Sequence, residues 1–418
     1  MSDEQERALI GGGTPRYLTA DLPGIGGAIK EQVSDFIVEE LPLYTPLGKG
    51  EHTFFEIEKK GISTFQAVRT IARGLGVAPK RISYAGLKDA QAITCQVLSV
   101  DQVPPEAVTA LDLDQIRILW AERHQKKLKI GHLRGNRFTI RIRGVAEEML
   151  PAGQAIVDLL VRRGVPNWYG PQRFGQRGDS ALLGKYVVDR DARAFVERLL
   201  GGPHPNESER VQEARARFDA GQWAEALAIF PHNMANERRA LHRLIDTEGD
   251  AGRAYASVPK RFKIFLLSAY QSALFNRVLD ARLETLDRVF VGDLAMKHPG
   301  RSVFRVEDEA AEQPRADRFE ISPTGPLFGY KMIEARGRQG QLEDEILAGE
   351  GLSPESWRVG GGIKARGQRR ALRFPVHEPE LSFDEGVVLK FSLPRGCYAT
   401  ALLAEVMKVP LTSQVPEM

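Results

Sequence analysis

At 418 residues, with 42% hydrophobic and 27% charged side chains, the chain is long enough for two or three domains and apolar enough to bury real cores. Its formal charge of +3 does not by itself announce a polyanionic partner, and two cysteines, Cys95 and Cys397, exclude a disulfide framework and a cysteine-rich zinc cluster. The acidic start Met1-Ser2-Asp3-Glu4-Gln5-Glu6-Arg7 lacks the apolar core of a signal peptide, and no run approaches the ~20 apolar residues of a membrane span, so a cytoplasmic protein without a membrane partner is expected.

Residues 1–16, with Gly11-Gly12-Gly13 as a joint, read as a loose leader. Phe36-Ile37-Val38-Glu39-Glu40 and Thr53-Phe54-Phe55-Glu56-Ile57-Glu58-Lys59 read as strands around a Pro- and Gly-containing loop, and as a pair they suggest an antiparallel sheet. Ser63-Thr64-Phe65-Gln66 has the form of a capping box, with Phe65, Val68, Ile71 and Leu75 near helical spacing behind it. That helix is expected to cover one sheet face and leave the other for a ligand.

Next comes Tyr84-Ala85-Gly86-Leu87-Lys88-Asp89, a strand end and a turn, followed by a β-rich run from Thr94 to Leu98. An aspartate in such a turn commonly caps its own backbone, but turns on rigid strands also carry chemistry. From Arg123 to Arg143 eight cations occur without one acid: Arg123, Lys126, Lys127, Lys129, Arg134, Arg137, Arg141 and Arg143. Such a run is either a solvated face whose acids lie elsewhere or a surface for a phosphate backbone. Phe138, Ile140 and Ile142 alternate with Arg137, Thr139, Arg141 and Arg143, which predicts a strand with one apolar and one basic face and favours RNA.

A helix is expected over 149–162, then a shaped loop, Asn167-Trp168-Tyr169-Gly170-Pro171-Gln172-Arg173-Phe174-Gly175, whose aromatics either pack or wall a cleft. Helical runs follow near 191–200, 208–220, 224–229, 237–247 and 259–283, then a strand-prone part over 291–330. Gly360-Gly361-Gly362 and Lys364-Ala365-Arg366-Gly367-Gln368-Arg369-Arg370 read as loop and linker. The chain closes with a strand over 386–393 and a helix running to Lys408. No metal is expected: the eight histidines form no His-x-x-x-His pair, and Gly24-Ile25-Gly26-Gly27 lacks the Lys-Ser/Thr of a phosphate loop.

These motifs, in this order, resemble the TruD family of tRNA pseudouridine synthases. The match rests on Gly86-x-Lys88-Asp89 with Thr94-x-Gln96, on Gly135-Asn136-Arg137-Phe138-Thr139, and on 165–175. Asp35-Phe36-x-Val38-Glu39-Glu40, residues 263–276 and Leu393-Pro394-x-Gly396-x-Tyr398 extend it over roughly residues 30–408. The resemblance implies an α+β catalytic domain on an antiparallel sheet, residues 1–165 and 374–418, interrupted by an insertion domain, 166–373, with RNA in the cleft between them. Beside the compact bacterial members that this resemblance brings in, the stretch between Gly175 and Lys263 looks longer.

It further implies a cofactor-free isomerisation of a tRNA D-arm uridine, position 13, in which the N1–C1′ bond breaks, the base turns, and C5 joins C1′. Asp89 matches the essential acid, which attacks the sugar or removes a sugar proton; Lys30 is the candidate cation that keeps a carboxylate ionised in a dry pocket. Asn136 and Phe138 match the uridine pocket. Lys88, Arg123, Lys126, Lys127, Lys129 and Arg173 are candidate RNA contacts, tRNA is the expected partner, and a monomer is favoured. A synthase with other RNA targets and a non-catalytic RNA-binding protein are the rival readings.

Overall fold

The computed structural model describes residues 16–409, so the expected leader, apart from Arg16, lies outside the described residues. The chain forms strands β1 (Phe36–Pro42) and β2 (His52–Lys60), helix α1 (Thr64–Gly74), strands β3 (Ile82–Tyr84), β4 (Ile93–Asp101), β5 (Ile116–His124) and β6 (Leu133–Ile142), and helix α2 (Leu150–Arg163). Seven further helices follow: α3 (Ser180–Asp189), α4 (Ala192–Leu200), α5 (Glu209–Asp219), α6 (Trp223–Ile229), α7 (Ala235–Asp246), α8 (Ala251–Ser257) and α9 (Lys260–Ala281). Strands β7 (Leu294–Lys297), β8 (Val303–Arg305), β9 (Ile321–Leu327) and β10 (Gln368–Ala371) precede β11 (His377–Phe383), β12 (Val387–Pro394) and α10 (Ala399–Met407). Two compact units result: Tyr17–Val165 with the chain from Phe374 onward, and Pro166–Arg373.

The first unit is built on a sheet in the order β11-β12-β6-β1-β4-β2-β5, with β3 also on β4. The fold is mixed α/β, as expected, but β1 and β2 are not neighbours. β4 lies between them, antiparallel to β2 and parallel to β1. The parallel pair has a consequence for position. Ile37 is opposite Ile93, so the segments that precede β1 and β4 emerge at the same end of the sheet. Those segments carry Lys30 and Asp89.

Residues opposite one another in register share a sheet face. The ladders therefore place Val38, Glu40, Phe138, Asn136, Thr94, Gln96, Ile57 and Lys59 on one face. α1 packs on this face through Ala67, Val68, Ile71 and Ala72 against Phe55, Ile57, Leu98 and Val100. α2 and α10 help cover its other end, where Phe36, Val38, Phe138 and Phe391 join Ile156, Leu160, Leu402 and Val406. The polar side chains fall between two apolar clusters. Helix and polar residues thus occupy the same face, not opposite ones.

The α1 capping box is present: Ser63 Oγ accepts from the Gln66 amide at 3.2 Å, and Gln66 Oε1 accepts from the Ser63 amide at 2.8 Å. Its buried stripe is Thr64, Ala67, Val68, Ile71 and Ala72. Phe65, one residue off that stripe, faces outward against Tyr84 instead of joining the core.

In the second unit, β10-β9-β7-β8 form a sheet. The basic stretch expected to be a linker contains β10, because its charge is satisfied internally: Arg369 donates to Glu343 Oε1 and Oε2 at 2.7 and 2.8 Å, both side chains being buried. The 167–175 loop is packed in the same way. The Asn167 amide group donates to the Ala371 carbonyl at 2.8 Å, and Tyr169 exchanges two 3.0 Å hydrogen bonds with Asn276 of α9.

One ion pair closes the first unit around the Lys30 segment. Arg143, just past β6, donates from Nε and Nη2 to the fully buried Asp35 at 2.8 and 2.7 Å, and its backbone exchanges 2.8 and 2.9 Å bonds with Ala28. Burial pushes the Asp35 carboxyl up, but Arg143, the Gln32 amide and Arg141 outweigh it and leave it below its ordinary value. Asp35→Asn should therefore cost about 3 kcal/mol at neutral pH, the scale for orphaning one member of a buried pair. Because the folded-state pKa is lowered, this contribution is present at neutral pH and is lost as pH falls below about 4. Denaturant midpoints of the two proteins should converge in acid; an equal gap at pH 7 and pH 3 would refute this assignment.

Candidate active site

The β3–β4 connection, residues 85–92, contains no regular ladder, yet it is tied down at several points. The Ala85 carbonyl accepts from the Gly131 amide at 2.7 Å. The Lys88 amide donates to Thr64 Oγ1 at 3.0 Å, and that hydroxyl donates to Gln96 Oε1 at 3.0 Å. This chain of bonds gives the Thr-x-Gln strand a physical role: Gln96, fully buried, aims Thr64 at the loop.

Two lysines complete the anchoring. Lys88 Nζ lies 2.9 Å from Glu40 Oε2 and donates to Asn136 Oδ1 at 2.5 Å; the Lys88 and Glu40 side chains are 5% and 1% exposed. Burial pushes the Glu40 carboxyl up, opposed by Lys88. Lys59, wholly buried, donates to the Asp89 carbonyl at 2.7 Å and to the Ile62 carbonyl at 2.6 Å. Burial lowers its ammonium pKa to about 8, against the pull of the Asp89 charge and with a further push from Lys88.

Held this way, Asp89 turns its carboxylate to Lys30. Lys30 Nζ donates to Asp89 Oδ2 and lies 4.5 Å from the centroid of the Phe36 ring. The Lys30 side chain is 6% exposed and the Asp89 side chain 39%. The acid is the open end of a closed network. Lys30 itself has φ +61°, a left-handed conformation that costs a non-glycine residue energy and is held by the Ala28–Arg143 bridge beside it.

The aromatic residues form one group. Phe138 stacks on Phe391 with centroids 5.2 Å apart, and Phe36 meets Phe138 edge-on at 6.3 Å. Phe138 is 7% exposed and belongs to the core, so it does not present an open face. Phe36, Phe391, Lys59 and Glu40 were not named as site residues from the sequence, although two of them leave a signal. Phe55-x-Ile57-x-Lys59 and Phe36-x-Val38-x-Glu40 each place a charge at the inward position of a period-two strand.

Other candidates separate from the site. Lys88 is spent on Glu40 and Asn136, and so serves as an internal anchor. Arg173 donates to Ser272 Oγ at 3.0 Å and to Ser268 Oγ, with its guanidinium 5.4 Å from the Phe265 ring centroid, and so serves the packing of the second unit. On β6 and just past it, Arg143 is bound by Asp35, Arg141 by Asp384 and Arg137 by Glu378 at 3.7 Å. The basic strand face is thus largely neutralised by acids distant in sequence. Arg123 donates to the Glu51 carbonyl at 3.4 Å.

Lys126, Lys127 and Lys129 differ. They stand exposed in the β5–β6 loop, which is fixed by buried Leu128 and by the Gly131–Ala85 bond to the Asp89 loop. Among the described residues none of the three has an ion-pair partner, and no group of three or more His, Cys, Asp or Glu side chains is placed to hold a metal. No helix among the described residues is long and apolar enough to cross a membrane.

Comparison with known proteins shows the family. The family model for tRNA pseudouridine synthase D (TruD) matches residues 14–406. The tRNA pseudouridine synthase D of Geobacter metallireducens is 48% identical over 397 residues, covering 95% of this chain and 98% of the relative. That of Thermus thermophilus is 39% identical over 402 residues, covering 94% and 92%. The crystal structure of a Methanosarcina mazei protein assigned to TruD superposes with a TM-score of 0.86 at 29% identity, covering 97% of this chain and 98% of that one. The chain belongs to the tRNA pseudouridine synthase D (TruD) family, and so to the isomerases that make pseudouridine.

Proposed function

We propose that this enzyme isomerises uridine 13 in the tRNA D arm, with Asp89 as the reacting carboxylate and Lys30 as its partner. The observation that carries the reading is the Lys30–Asp89 ion pair, in which a nearly buried ammonium meets a partly exposed carboxylate on a loop anchored by Lys59, Lys88 and Thr64. A carboxylate held so firmly has little need of a capping role for its own backbone. Asp89 either attacks C1′ or removes a sugar proton; in both paths N1 leaves C1′, the base turns, C5 bonds to C1′ and gives up its proton, and N1 acquires one. The unit containing Asp89 is the catalytic domain in this reading, the 166–373 unit is the insertion, and the enzyme works in the cytoplasm on tRNA without a cofactor.

The buried site offers polar groups and an aromatic cluster for the base. Asn136, already oriented by Lys88, presents its amide; Phe138, Phe36 and Phe391 supply apolar surface that a flipped uracil would reach after local movement of their neighbours. The exposed Lys126, Lys127 and Lys129 take backbone phosphates, where cations release condensed counterions.

Asp89→Asn keeps the shape and removes the charge. It should abolish tritium release from tRNA labelled at uridine C5 while tRNA affinity stays within a few-fold; substantial release by this variant would sink the assignment. Replacing Lys126, Lys127 and Lys129 with glutamine should weaken binding to all RNAs alike and reduce the slope of log K against log salt by roughly 2 to 3. A loss confined to one RNA sequence would point to base readout instead.

Lys59 gives the reaction a basic limb. As pH rises through about 8 its ammonium loses a proton, and its charge-assisted bond to the Asp89 carbonyl weakens. Single-turnover rates should fall over that range. The stability effect runs the other way: an unfolded lysine titrates near 10.5, so between about 8 and 10.5 the unfolded state binds more protons and this group's contribution to stability rises with pH. It is fully present above about 10.5 and lost as pH falls through about 8. Lys59→Met should remove both dependences and leave a slower, flatter profile; an unchanged basic limb in this variant would assign it to another group.

A further inference from the structure

The helical part of the Pro166–Arg373 unit holds a second concentration of positive charge, one the reading above does not use. A concavity of about 750 Å3 is lined on its polar side by Arg238, Arg239, His242, Arg243, Asp246 and Arg253. α7 supplies most of it. Ala240, Leu241 and Leu244 are its buried side, so Arg239, His242, Arg243 and Asp246 turn outward, and α8 contributes Arg253.

Some of these groups are already engaged. Arg238 Nη1 donates to the carbonyls of Leu227 and Phe230, each at 2.7 Å. His242 Nδ1 lies 3.0 Å from Asp246, and Arg253 Nε lies 3.4 Å from Asp250. Among the described residues, Arg239 and Arg243 have no acceptor for their guanidinium groups. They are one helical turn apart on a single face.

Composition does not reveal this arrangement. Segment 235–257 balances Arg238, Arg239, Arg243 and Arg253 against Glu237, Asp246, Glu248 and Asp250. The separation is by face. Glu237 is drawn inward, where burial pushes its carboxyl up and Arg215 opposes that push, which leaves the outer wall in arginine excess.

We propose that this concavity is an anion site that takes the phosphodiester backbone of tRNA. The proposal rests on the tRNA-modifying reading and adds a contact region to it. Planar guanidinium forks match phosphate oxygens in pairs, and two free forks at i and i+4 stand as neighbours on one face of the helix. An acidic peptide is the less suited occupant, because Leu227 and Ala256 are the main apolar anchors the wall provides.

The test uses the full chain carrying Arg239→Gln and Arg243→Gln together. By fluorescence anisotropy with folded tRNA, the double variant should bind about tenfold more weakly at 0.1 M salt, with the slope of log K against log salt reduced by roughly 1 to 2. Its single-turnover rate at saturating tRNA should equal wild type, and its melting temperature should be unchanged. Arg239→Lys with Arg243→Lys, which keeps the charge and loses the fork, should fall between the two and covers the case in which the glutamine variant folds poorly. Equal affinity and slope in wild type and both variants would overturn the proposal, as would loss of binding to polyglutamate with tRNA binding intact. Pseudouridine formation by wild type is measured in parallel: its absence would fail the catalytic reading, whereas its presence with unchanged variant binding would fail only this site.

Discussion

The arrangement depends on a carboxylate that must be held still by a loop with no regular structure. Apolar packing cannot do this, since a loop lying flat on a core would bury its own backbone groups unpaired. Here two buried ammonium groups do it. Lys59 grips the Asp89 carbonyl from below, and Lys88 reaches between Glu40 and Asn136. Each buried cation is costly by itself, and each is compensated by acceptors at hydrogen-bonding distance. Anchoring of this kind is directional, which a hydrophobic contact is not. It also carries a titratable group, which is why Lys59 links the loop to pH.

Topology supplies the rest of the geometry. With β1 and β4 parallel, the segments leading into them meet at one end of the sheet, and Lys30 faces Asp89 across the gap. An antiparallel pair would have sent them to opposite ends. The entry to β1 must then be fixed against a strained Lys30 backbone, and the Arg143–Asp35 pair with the Ala28–Arg143 bridge fixes it from both sides. Arg143 thus acts at a distance from the carboxylate, by holding the residue that contacts it.

Much of this was legible in the sequence, and the exceptions share a cause. Period-two alternation located β6 and its two faces, and the capping box located α1, because both signals are local. What the 123–143 run could not show was that Asp35, Asp384 and Glu378 would return to neutralise Arg143, Arg141 and Arg137, since those acids lie far away in the chain. The inward turn of Lys88 was hidden for the same reason: its partner Glu40 is brought to it by the β1 ladder. The assumed β1–β2 pairing failed because neighbours in sequence need not be neighbours in a sheet, and β4 inserted between them. Phe65 shows the smaller error of a stripe displaced by one residue.

The same distinction sorts the charges. With 58 basic and 55 acidic side chains, a net of +3 says little about where a polyanion would settle. Many arginines here are internal ties: Arg143 to Asp35, Arg369 to Glu343, Arg215 to Glu207. A paired guanidinium has little field left to offer a phosphate, because its carboxylate already occupies the fork. The cations still available to a polyanion are those the fold leaves unpaired on elements held rigid by something else. Lys126, Lys127 and Lys129 meet that condition through Leu128 and Gly131, and Arg239 and Arg243 meet it through the buried side of α7. Unpaired charge on an anchored backbone is a better guide to a polyanion surface than charge density along the sequence, because only the former survives the folding that brings distant acids home.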